Sequence, residues 1–456
     1  MDNVTHTLTG LVVAEAALHL RNTRLRRPGS FALRRSVAFG LRPAAFEQHP
    51  AAVGLRPVAA VTDPPVLRAA TLGVSALASN APDLDFLYRG ITPGRLGYLL
   101  HHRGHTHTLL ATVPLALLCL VAVGALLRLR GQHWPRAAGR FLLGVALFAG
   151  LLHLTMDFGN NYGVHPFWPF DDHWYYGDAL FIIEPWLMIA LAGCVFGASR
   201  SRVGRALSGL ILAGLLIVAW SVAYGPSPLL APGLAALLTL GAGGWLAWMY
   251  WGSPHWRRVS ALLVLGLLLS AQLCGRASAR AQLGRALASS AGFELVSLAS
   301  TPSPGNPLCW SLLALGRSRG ADTDRDEYVI QQAFVSAWPA LWAPSACGSF
   351  SARTTAPLAR PGRPLSEQPG VLWGREFRAP LAQLRALAQG DCVASAFLRF
   401  ARVPFWIQGS GPAQLIGDLR FDRSPAVEFA ELPLERGARC PRFVPPWKPP
   451  LRLLEP

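Results

Sequence analysis

Histidine and acidic side chains are the groups of this sequence that can do chemistry. All twelve histidines lie at or before His255, so a site built from imidazole groups belongs to that part of the chain. His153 and Asp157 are four residues apart, which puts both side chains on one face of a helix. The candidate metal ligands are His6, Asp83, Asp85, the histidines of residues 101–107, His153, Asp157, His165 and Glu184.

Imidazole and carboxylate groups without thiolates form a ligand set that suits Zn²⁺, with Mn²⁺ or Fe²⁺ as alternatives. The candidates outnumber the ligands of one tetrahedral site, so the sequence predicts between one and three divalent ions. Such ions polarise an ester or phosphoryl oxygen and lower the pKa of a bound water. Arg103 can then hold an anionic group of the substrate in a bidentate contact, and Asp178 is the second predicted catalytic residue.

Each group of candidates also has an interpretation without a metal. His6 can cap a helix, and one aspartate of the Pro-Asp-Leu-Asp motif can cap the next turn. The histidines of residues 101–107 can form a solvated charged patch at a membrane surface. His153 and Asp157 can form a hydrogen bond within the membrane and bind no ion.

Membrane helices are the elements that must position these residues. The chain is 52% hydrophobic and 15% charged, with a mean hydropathy of +0.31, whereas about a quarter of the residues of a soluble protein are charged. Apolar segments near the ~20 residues that cross a bilayer predict membrane spans. Charge-free spans are predicted at 109–127, 207–224, 229–251 and 259–275, spans with ionisable groups near one end at 141–157 and 179–198, and shorter ones at 4–20 and 69–82.

The positive charge of the chain fits a membrane protein better than a nucleic-acid-binding protein. The formal net charge of +17 comes almost entirely from arginine, because Lys448 is the only lysine. Arginines are concentrated in short loops between apolar segments, where basic residues orient membrane proteins. We therefore expect no nucleic-acid partner.

The same loops predict the orientation of the helices. Loops 128–140, 199–206 and 252–258 are rich in arginine, whereas 158–178 and 225–228 contain no arginine or lysine. Basic loops stay in the cytoplasm, so residues 158–178 are predicted outside. The histidine and aspartate motifs then lie at one external membrane face. Segment 21–68, with nine arginines, is predicted to be a poorly ordered cytoplasmic insertion.

A second domain, 276–456, is predicted to follow the helical membrane domain, 1–275. It has no long apolar run and consists of short β-prone pieces separated by Pro and Gly, at 293–298, 328–335, 397–407, 415–421 and 427–432. Counting the spans places this domain in the periplasm. Its four cysteines, an even number, suit up to two disulfides, with buried free thiols as the alternative: Cys309, Cys347, Cys392 and Cys440.

Four motifs of the chain occur in the order found in a known family. They are Met1-Asp-Asn-Val-Thr-His-Thr-Leu-Thr-Gly10, Ala-Pro-Asp83-Leu-Asp85, His102-Arg-Gly-His-Thr-His107 and His153-Leu-Thr-Met-Asp157. Over residues 1–200 the chain resembles the YdjM/YbcI-like bacterial inner-membrane proteins, described as membrane-bound metal-dependent hydrolases. The resemblance implies metal-site roles for His6, Asp83, Asp85, His102, His107, His153 and Asp157, and it makes 21–68 an insertion.

A looser similarity is to zinc-dependent phospholipase C and the single-strand-specific S1/P1-type nucleases. Those helical enzymes hold three zinc ions with an early His, a lone Asp, a His-x-x-x-Asp pair and further His and acidic residues. Comparable residues occur here in a comparable order, without the N-terminal Trp ligand of those enzymes. The similarity implies hydrolysis of a phosphoester.

The sequence therefore predicts an α-helical polytopic membrane domain of six to eight helices plus a β-rich α+β extracytoplasmic C-terminal domain, in the bacterial inner membrane. The favoured function is a metal-dependent hydrolase of an ester or phosphoester, with membrane lipids and a small or lipid-like substrate as partners. The alternatives are a non-enzymatic metal-binding or transport protein and an envelope scaffold. A transporter needs polar groups that continue toward the cytoplasm, and segments 207–224, 229–251 and 259–275 contain none that is charged.

Overall fold

The helices of the N-terminal part follow the apolar segments of the sequence. The structure is a computed structural model that describes residues 1–25, 64–225, 230–288, 292–318, 326–350, 357, 369–408, 413–422, 427–435 and 437–454. The helices are α1 (Asn3–Leu25), α2 (Pro65–Ala78), α3 (Gly94–His101), α4 (Leu109–Leu129), α5 (Gly139–Phe158), α6 (Pro185–Ala198), α7 (Arg202–Ala223), α8 (Pro232–Trp251) and α9 (Pro254–Ala288). Most of the predicted insertion, 26–63, lies outside the described residues.

Several of these helices have the length and composition of membrane spans. In the part of the chain that the structure describes, five are long and apolar enough: α4, α5 with the short turn before it, α7, α8 and α9. The apolar helices α2 and α6 are shorter, with 14 residues each. Only 11% of the most apolar stretch of α9 is buried, so its leucines require a nonaqueous surrounding. The predicted helical N-terminal region with several apolar helices is thereby confirmed, and the number and direction of its membrane spans stay predictions.

Local chemistry fixes where the helices begin. The hydroxyl oxygens of Thr108 and Ser201 accept hydrogen bonds from the N–H groups of Ala111 and Gly204, at 2.9 and 3.0 Å, and so cap α4 and α7. Proline is the first residue of α2, α6 and α8, where a missing N–H costs nothing. The Thr108 cap places the residue before it, His107, immediately outside α4.

A glycine of the first motif allows α1 to pack closely on α2. A side chain at Gly10 would overlap the Ser79 hydroxyl and the carbonyl oxygen of Ser75. In the native packing, the Ser75 hydroxyl donates a hydrogen bond of 2.7 Å to the Gly10 carbonyl. The close approach brings the first turn of α1 next to the segment that follows α2.

The C-terminal domain contains two antiparallel sheets. The first has the order β1 (Phe293–Ser303), β2 (Asn306–Ser318), β3 (Glu327–Ser336) and β4 (Val371–Pro380). Helices α10 (Leu381–Gly390) and α11 (Cys392–Phe397) lead to the second, formed by β5 (Pro404–Gln408), β6 (Ala413–Asp418) and β7 (Glu431–Pro433). The predicted β-rich domain is confirmed. The predicted strand at 397–407 was wrong in its first half, because α11 and a turn occupy it.

Apolar contacts and disulfides hold this domain together. Helix α9 runs past the predicted domain boundary at 275, and Leu283 and Leu287 pack against Trp310 and Leu312 of the first sheet. The four cysteines form the pairs Cys309–Cys347 and Cys392–Cys440. The structure thus favours disulfides over free thiols, the two alternatives that the sequence left open.

The helical part and the C-terminal domain share one hydrophobic core. Leu99 and Leu100 of α3 belong to the same buried cluster as Phe397 and Phe400 of the C-terminal domain. The indole N–H of Trp447 donates a hydrogen bond of 2.7 Å to the carbonyl oxygen of Leu100. The end of α3, where the histidine motif begins, is therefore covered by the C-terminal domain.

The predicted catalytic residue Asp178 lies in this interface. One carboxylate oxygen is 2.8 Å from a guanidinium nitrogen of Arg402, and the other is 3.4 Å from one of Arg280. The Asp178 and Arg402 side chains are only 2% and 7% exposed. The carboxylate thus joins the loop before α6 to the C-terminal domain, and its predicted catalytic role stays a prediction.

We predict that Gly10→Ala lowers the free energy of unfolding in detergent by about 1–3 kcal/mol, because the added methyl group forces α1 away from α2. Gly144→Ala in α5 is the matched control, since its methyl group meets no atom within 4 Å. Alanine stabilises a helix interior more than glycine does, so the control variant should be at least as stable as the native protein. Thermal or denaturant unfolding of both variants measures the difference. Equal stability of Gly10→Ala and the native protein would contradict the packing.

We predict that Asp178→Asn lowers the free energy of unfolding by about 3 kcal/mol, because it leaves the buried Arg402 guanidinium without its counter-charge. Arg317→Gln is the control, since its pair with Glu294 is largely exposed and surface pairs contribute little. Denaturant unfolding should show no measurable change for this control. A native-like Asp178→Asn would mean that the buried pair does not hold the interface.

Candidate metal centre

Four separate segments deliver the side chains of the candidate site. His6 lies in the first turns of α1, and the aspartates of the Pro-Asp-Leu-Asp motif lie in a 3-10 helix, Ala81–Leu87, directly after α2. His107 precedes the cap of α4, and His153 and Asp157 occupy the last turns of α5. These residues lie at the N-termini of α1 and α4 and at the C-termini of α2 and α5, which meet on one side of the helical part.

Four ligand atoms lie close enough together to surround one metal ion. They are Nε2 of His107, Nε2 of His153, Oδ1 of Asp83 and Oδ2 of Asp157, here called the central group. His107 Nε2 is 3.1 Å from His153 Nε2, 3.2 Å from the Asp157 oxygen and 3.4 Å from the Asp83 oxygen. His153 Nε2 is 3.4 and 3.8 Å from the same two oxygens. Ligands held tetrahedrally at about 2.0–2.1 Å from a zinc ion are about 3.3–3.4 Å apart, so the spacing fits one ion.

The outer nitrogens of both imidazoles are held in the orientation that a metal site requires. His153 Nδ1 is 2.8 Å from the carbonyl oxygen of Ser79, which can only accept a hydrogen bond. His107 Nδ1 is 3.2 Å from Oδ2 of Asp85. A proton on Nδ1 leaves the lone pair of Nε2 free for a metal, and such outer contacts tune the ligands of metal sites.

An unsatisfied oxygen in the central group also fits a cation. Asp157 Oδ2 is buried, and no N–H or O–H group of the described residues has the geometry to donate a hydrogen bond to it. A buried carboxylate oxygen without a donor is costly. The imidazole and carboxylate donors that surround this atom are ligands suited to zinc, manganese or iron.

The charge of the group favours a cation as well. Burial lowers the pKa of His107, but the carboxylates of Asp157, Asp83 and Asp85 outweigh this effect and raise the pKa to about 10. Burial raises the pKa of Asp85, while hydrogen bonds to His102 and His107 lower it further than burial raises it. The carboxylates thus attract a positive charge, and a divalent ion supplies more of it than a proton on His107 does.

A second group shares Asp83 with the first. Asp83, Asp85 and His102 also have ligand atoms within 4.8 Å of one another. His102 Nδ1 lies 3.1 Å from Oδ1 of Asp85, whose other oxygen accepts a hydrogen bond of 2.8 Å from the Arg103 N–H. Asp83 and His102 are 9% and 8% exposed, whereas His107 and His153 are at most 1% exposed. The accessible side of the centre therefore lies at this second group.

His6 and Arg103 contact the other oxygen of Asp157. Oδ1 lies 3.2 Å from His6 Nε2 and 3.1 Å from Nη2 of Arg103, and the Met1 amino group contacts it as well. The His6 ring stacks on His153 with a centroid distance of 3.8 Å. His6 is thus adjacent to the central group without belonging to it, and Arg103 is positioned beside it as predicted.

Two further predicted ligands lie outside both groups. His165 Nδ1 is 3.1 Å from the Arg103 carbonyl oxygen, and its ring stacks on Trp447 at 3.7 Å. Glu184 is buried directly before α6. A third group of possible ligands is partly exposed and consists of Asp171, Asp172 and His173. In this group Asp172 pairs with Lys448. His165 and Glu184 are therefore not brought to the central group.

Sequence reasoning missed two residues that shape the centre. The Asn160 side-chain oxygen accepts a hydrogen bond of 2.8 Å from Arg103. Asn160 follows Asp157 closely in the sequence, and this proximity could have marked it as part of the site. Ser79 contributes only its carbonyl oxygen, for which no residue type is a signal. Neither residue needs to contact an ion to affect it.

One comparison with known proteins is informative. No curated protein and no solved structure matches the chain significantly. Residues 47–226 match the family model described as YdjM inner membrane protein, and this region includes all four residues of the central group but neither α1 nor the C-terminal domain. The looser similarity to phospholipase C and nucleases receives no support from these matches. The match confirms, over residues 47–226, the resemblance to the YdjM inner membrane protein family that the motifs predict.

Proposed function

We propose that this protein is a membrane-bound metal-dependent hydrolase that acts on an ester or phosphoester at the periplasmic surface of the inner membrane. The observation that carries the proposal is the central group, whose five measured interatomic distances of 3.1–3.8 Å bracket those of a tetrahedral site.

His107, His153, Asp83 and Asp157 would hold the ion, for which Zn²⁺ is the first candidate and Mn²⁺ or Fe²⁺ the alternatives. A bound divalent ion polarises an ester or phosphoryl oxygen and lowers the pKa of a water molecule. The second group shares Asp83 with the first and offers a place for a second ion. Catalysis requires a coordination position beyond the four protein ligands, either a fifth position on this ion or one on the second ion, and the accessible side near Asp83 and His102 would provide the approach.

The remaining side chains act by position. The Asp85 carboxylate contacts Nδ1 of His107 and accepts a hydrogen bond from the backbone N–H of Arg103. It therefore fixes two parts of the centre at once. Asn160 and Asp157 hold the Arg103 guanidinium at 2.8 and 3.1 Å. A guanidinium fixed in this way binds an anionic substrate group with little loss of side-chain entropy.

The periplasmic location rests on three observations. The centre lies at the end of α5 that joins loop 158–178, which contains no lysine or arginine, and such loops are typically exported. The segment between α2 and α4, which carries His102 and His107, contacts the C-terminal domain through Trp447. That domain contains two disulfides, which persist in oxidising compartments.

We predict that the double variant His153→Ala with Asp157→Ala loses its bound metal and its turnover of a generic phosphodiester in detergent. Removing an outer contact alone weakens metal binding by about 10–100-fold, so loss of two ligands should exceed about 100-fold. If the double variant folds poorly, Asp83→Asn provides a second test. It keeps the size of the side chain and should also weaken metal binding. Metal analysis by mass spectrometry and a chromogenic diester assay measure both effects.

His255→Ala is the matched control for the metal assay, because His255 is exposed and belongs to none of the candidate ligand groups among the described residues. This variant should retain native metal content and turnover. If the ligand variants lose metal but the native protein itself shows no turnover, the protein is a metal-binding or transport protein and not a hydrolase. Native metal content in both ligand variants would refute the centre itself.

Reporter fusions test the location independently. We predict that a reporter active only in the periplasm is active when fused near residues 168 and 300 and inactive near residue 130, because the basic loop at 128–140 stays in the cytoplasm. A reporter active only in the cytoplasm is the complementary control. The opposite pattern would place the centre on the cytoplasmic side.

A further inference from the structure

A pocket of about 620 Å³ lies where the helical part meets the C-terminal domain. Its volume is within the range of about 300–1,000 Å³ that is common for small-molecule sites. Arg103 and His102 line it, as do aromatic residues from both parts of the chain. The pocket therefore begins beside the candidate metal centre and extends under the C-terminal domain.

The polar end of the pocket suits an anion. Arg103 is almost completely buried, and its Nε–H has no acceptor among the described residues. Its terminal nitrogens contact Asn160 and Asp157, and its guanidinium lies 5.0 Å above the ring of Tyr162. A buried guanidinium N–H without a partner is costly unless a ligand accepts from it, and phosphate oxygens are suitable acceptors.

The rest of the pocket is mostly apolar, with Asn161 and Glu428 as further polar lining residues, and is formed jointly by the two parts of the chain. Tyr98 and Tyr162 come from the helical part, and Phe421 and Phe429 come from the C-terminal domain. The rings of Phe421 and Phe429 are 4.9 Å apart, and Tyr98 meets Phe429 edge-on at 6.2 Å. Such walls favour hydrocarbon over a strongly hydrated ligand.

The edge of the pocket carries exposed apolar side chains close to the apolar helices. Ile182 lines the pocket and is 45% exposed, and it lies three residues before the start of α6. Phe429, on the C-terminal domain, is 42% exposed. Exposed apolar residues of this kind mark sites where an apolar partner enters, and the bilayer that the long apolar helices would cross is the nearest apolar phase.

We propose that this pocket binds the hydrocarbon chain of a membrane lipid whose phosphoester group lies at Arg103. The inference rests on the proposed function and names its substrate class. The C-terminal domain then determines chain specificity, because it supplies Phe421 and Phe429. A hydrocarbon chain fits the aromatic walls, and the phosphate supplies the acceptor that Arg103 lacks.

Binding of n-alkyl phosphates from butyl to decyl tests the proposal directly. Calorimetric titrations of the full chain in nanodiscs, with empty nanodiscs as the blank, should show affinity rising about fourfold per methylene until the pocket is full. Phe429→Ala removes part of the wall and Ile182→Trp narrows the entrance, and each should weaken decyl phosphate binding by about tenfold.

Two neighbouring residues provide matched controls. Ile183 is 42% exposed and Val427 is 42% exposed, and neither lines the pocket. Ile183→Trp and Val427→Ala should therefore bind decyl phosphate as the native protein does. Equal effects of the pocket variants and their controls would overturn the proposal.

The outcomes separate this proposal from the proposed function. Affinity that is independent of chain length, or inorganic phosphate bound as tightly as decyl phosphate, overturns the lipid pocket even if a small diester is hydrolysed. Binding that depends on chain length and is weakened by Phe429→Ala and Ile182→Trp supports the lipid pocket. This holds even if the native protein hydrolyses no diester.

Discussion

The burial of the Asp157 carboxylate is the constraint on which the rest of the structure depends. This side chain is 1% exposed at the end of an apolar helix, where an unpaired charge costs several kcal/mol. Oδ1 is compensated by Arg103 and His6, and Oδ2 faces the two imidazoles of the central group. Four segments far apart in the sequence must meet around this one group. The convergence is therefore a requirement of charge burial as well as a site for chemistry.

The backbone around Arg103 shows how closely the fold follows this requirement. Arg103 has a φ of 60°, a left-handed conformation that is uncommon for a residue with a Cβ. The turn lets its N–H reach Asp85 at 2.8 Å while its guanidinium reaches Asp157 at 3.1 Å. A Cβ at the neighbouring Gly104 would lie 3.1 Å from both the Trp447 ring and the His101 carbonyl oxygen, a tight contact that glycine avoids. The histidine motif is thus shaped by the centre on one side and by the C-terminal domain on the other.

Much of this arrangement could be predicted from the sequence, because charge-free segments and loop charges are local signals. The ends of the helices follow the apolar segments, and the His and Asp motifs lie at the ends that loop charges place together. The sequence does not show which groups at that membrane face meet. Asp178 pairs with Arg402, which is 224 residues away in the chain. His165 likewise stacks on Trp447, which no local pattern connects to it.

The shared core also ties the accessible side of the centre to the C-terminal domain. Asp83 and His102 retain some exposure, and the pocket beside His102 is closed by Phe421 and Phe429. Arg420 adds a buried connection, because its guanidinium contacts Asp418 within the domain and the Asn161 carbonyl oxygen in the loop after α5. Residues matched by the family lie on one side of this pocket only. A helical part with the same central group and a different covering domain would keep the ion-binding geometry and present a different surface to the substrate.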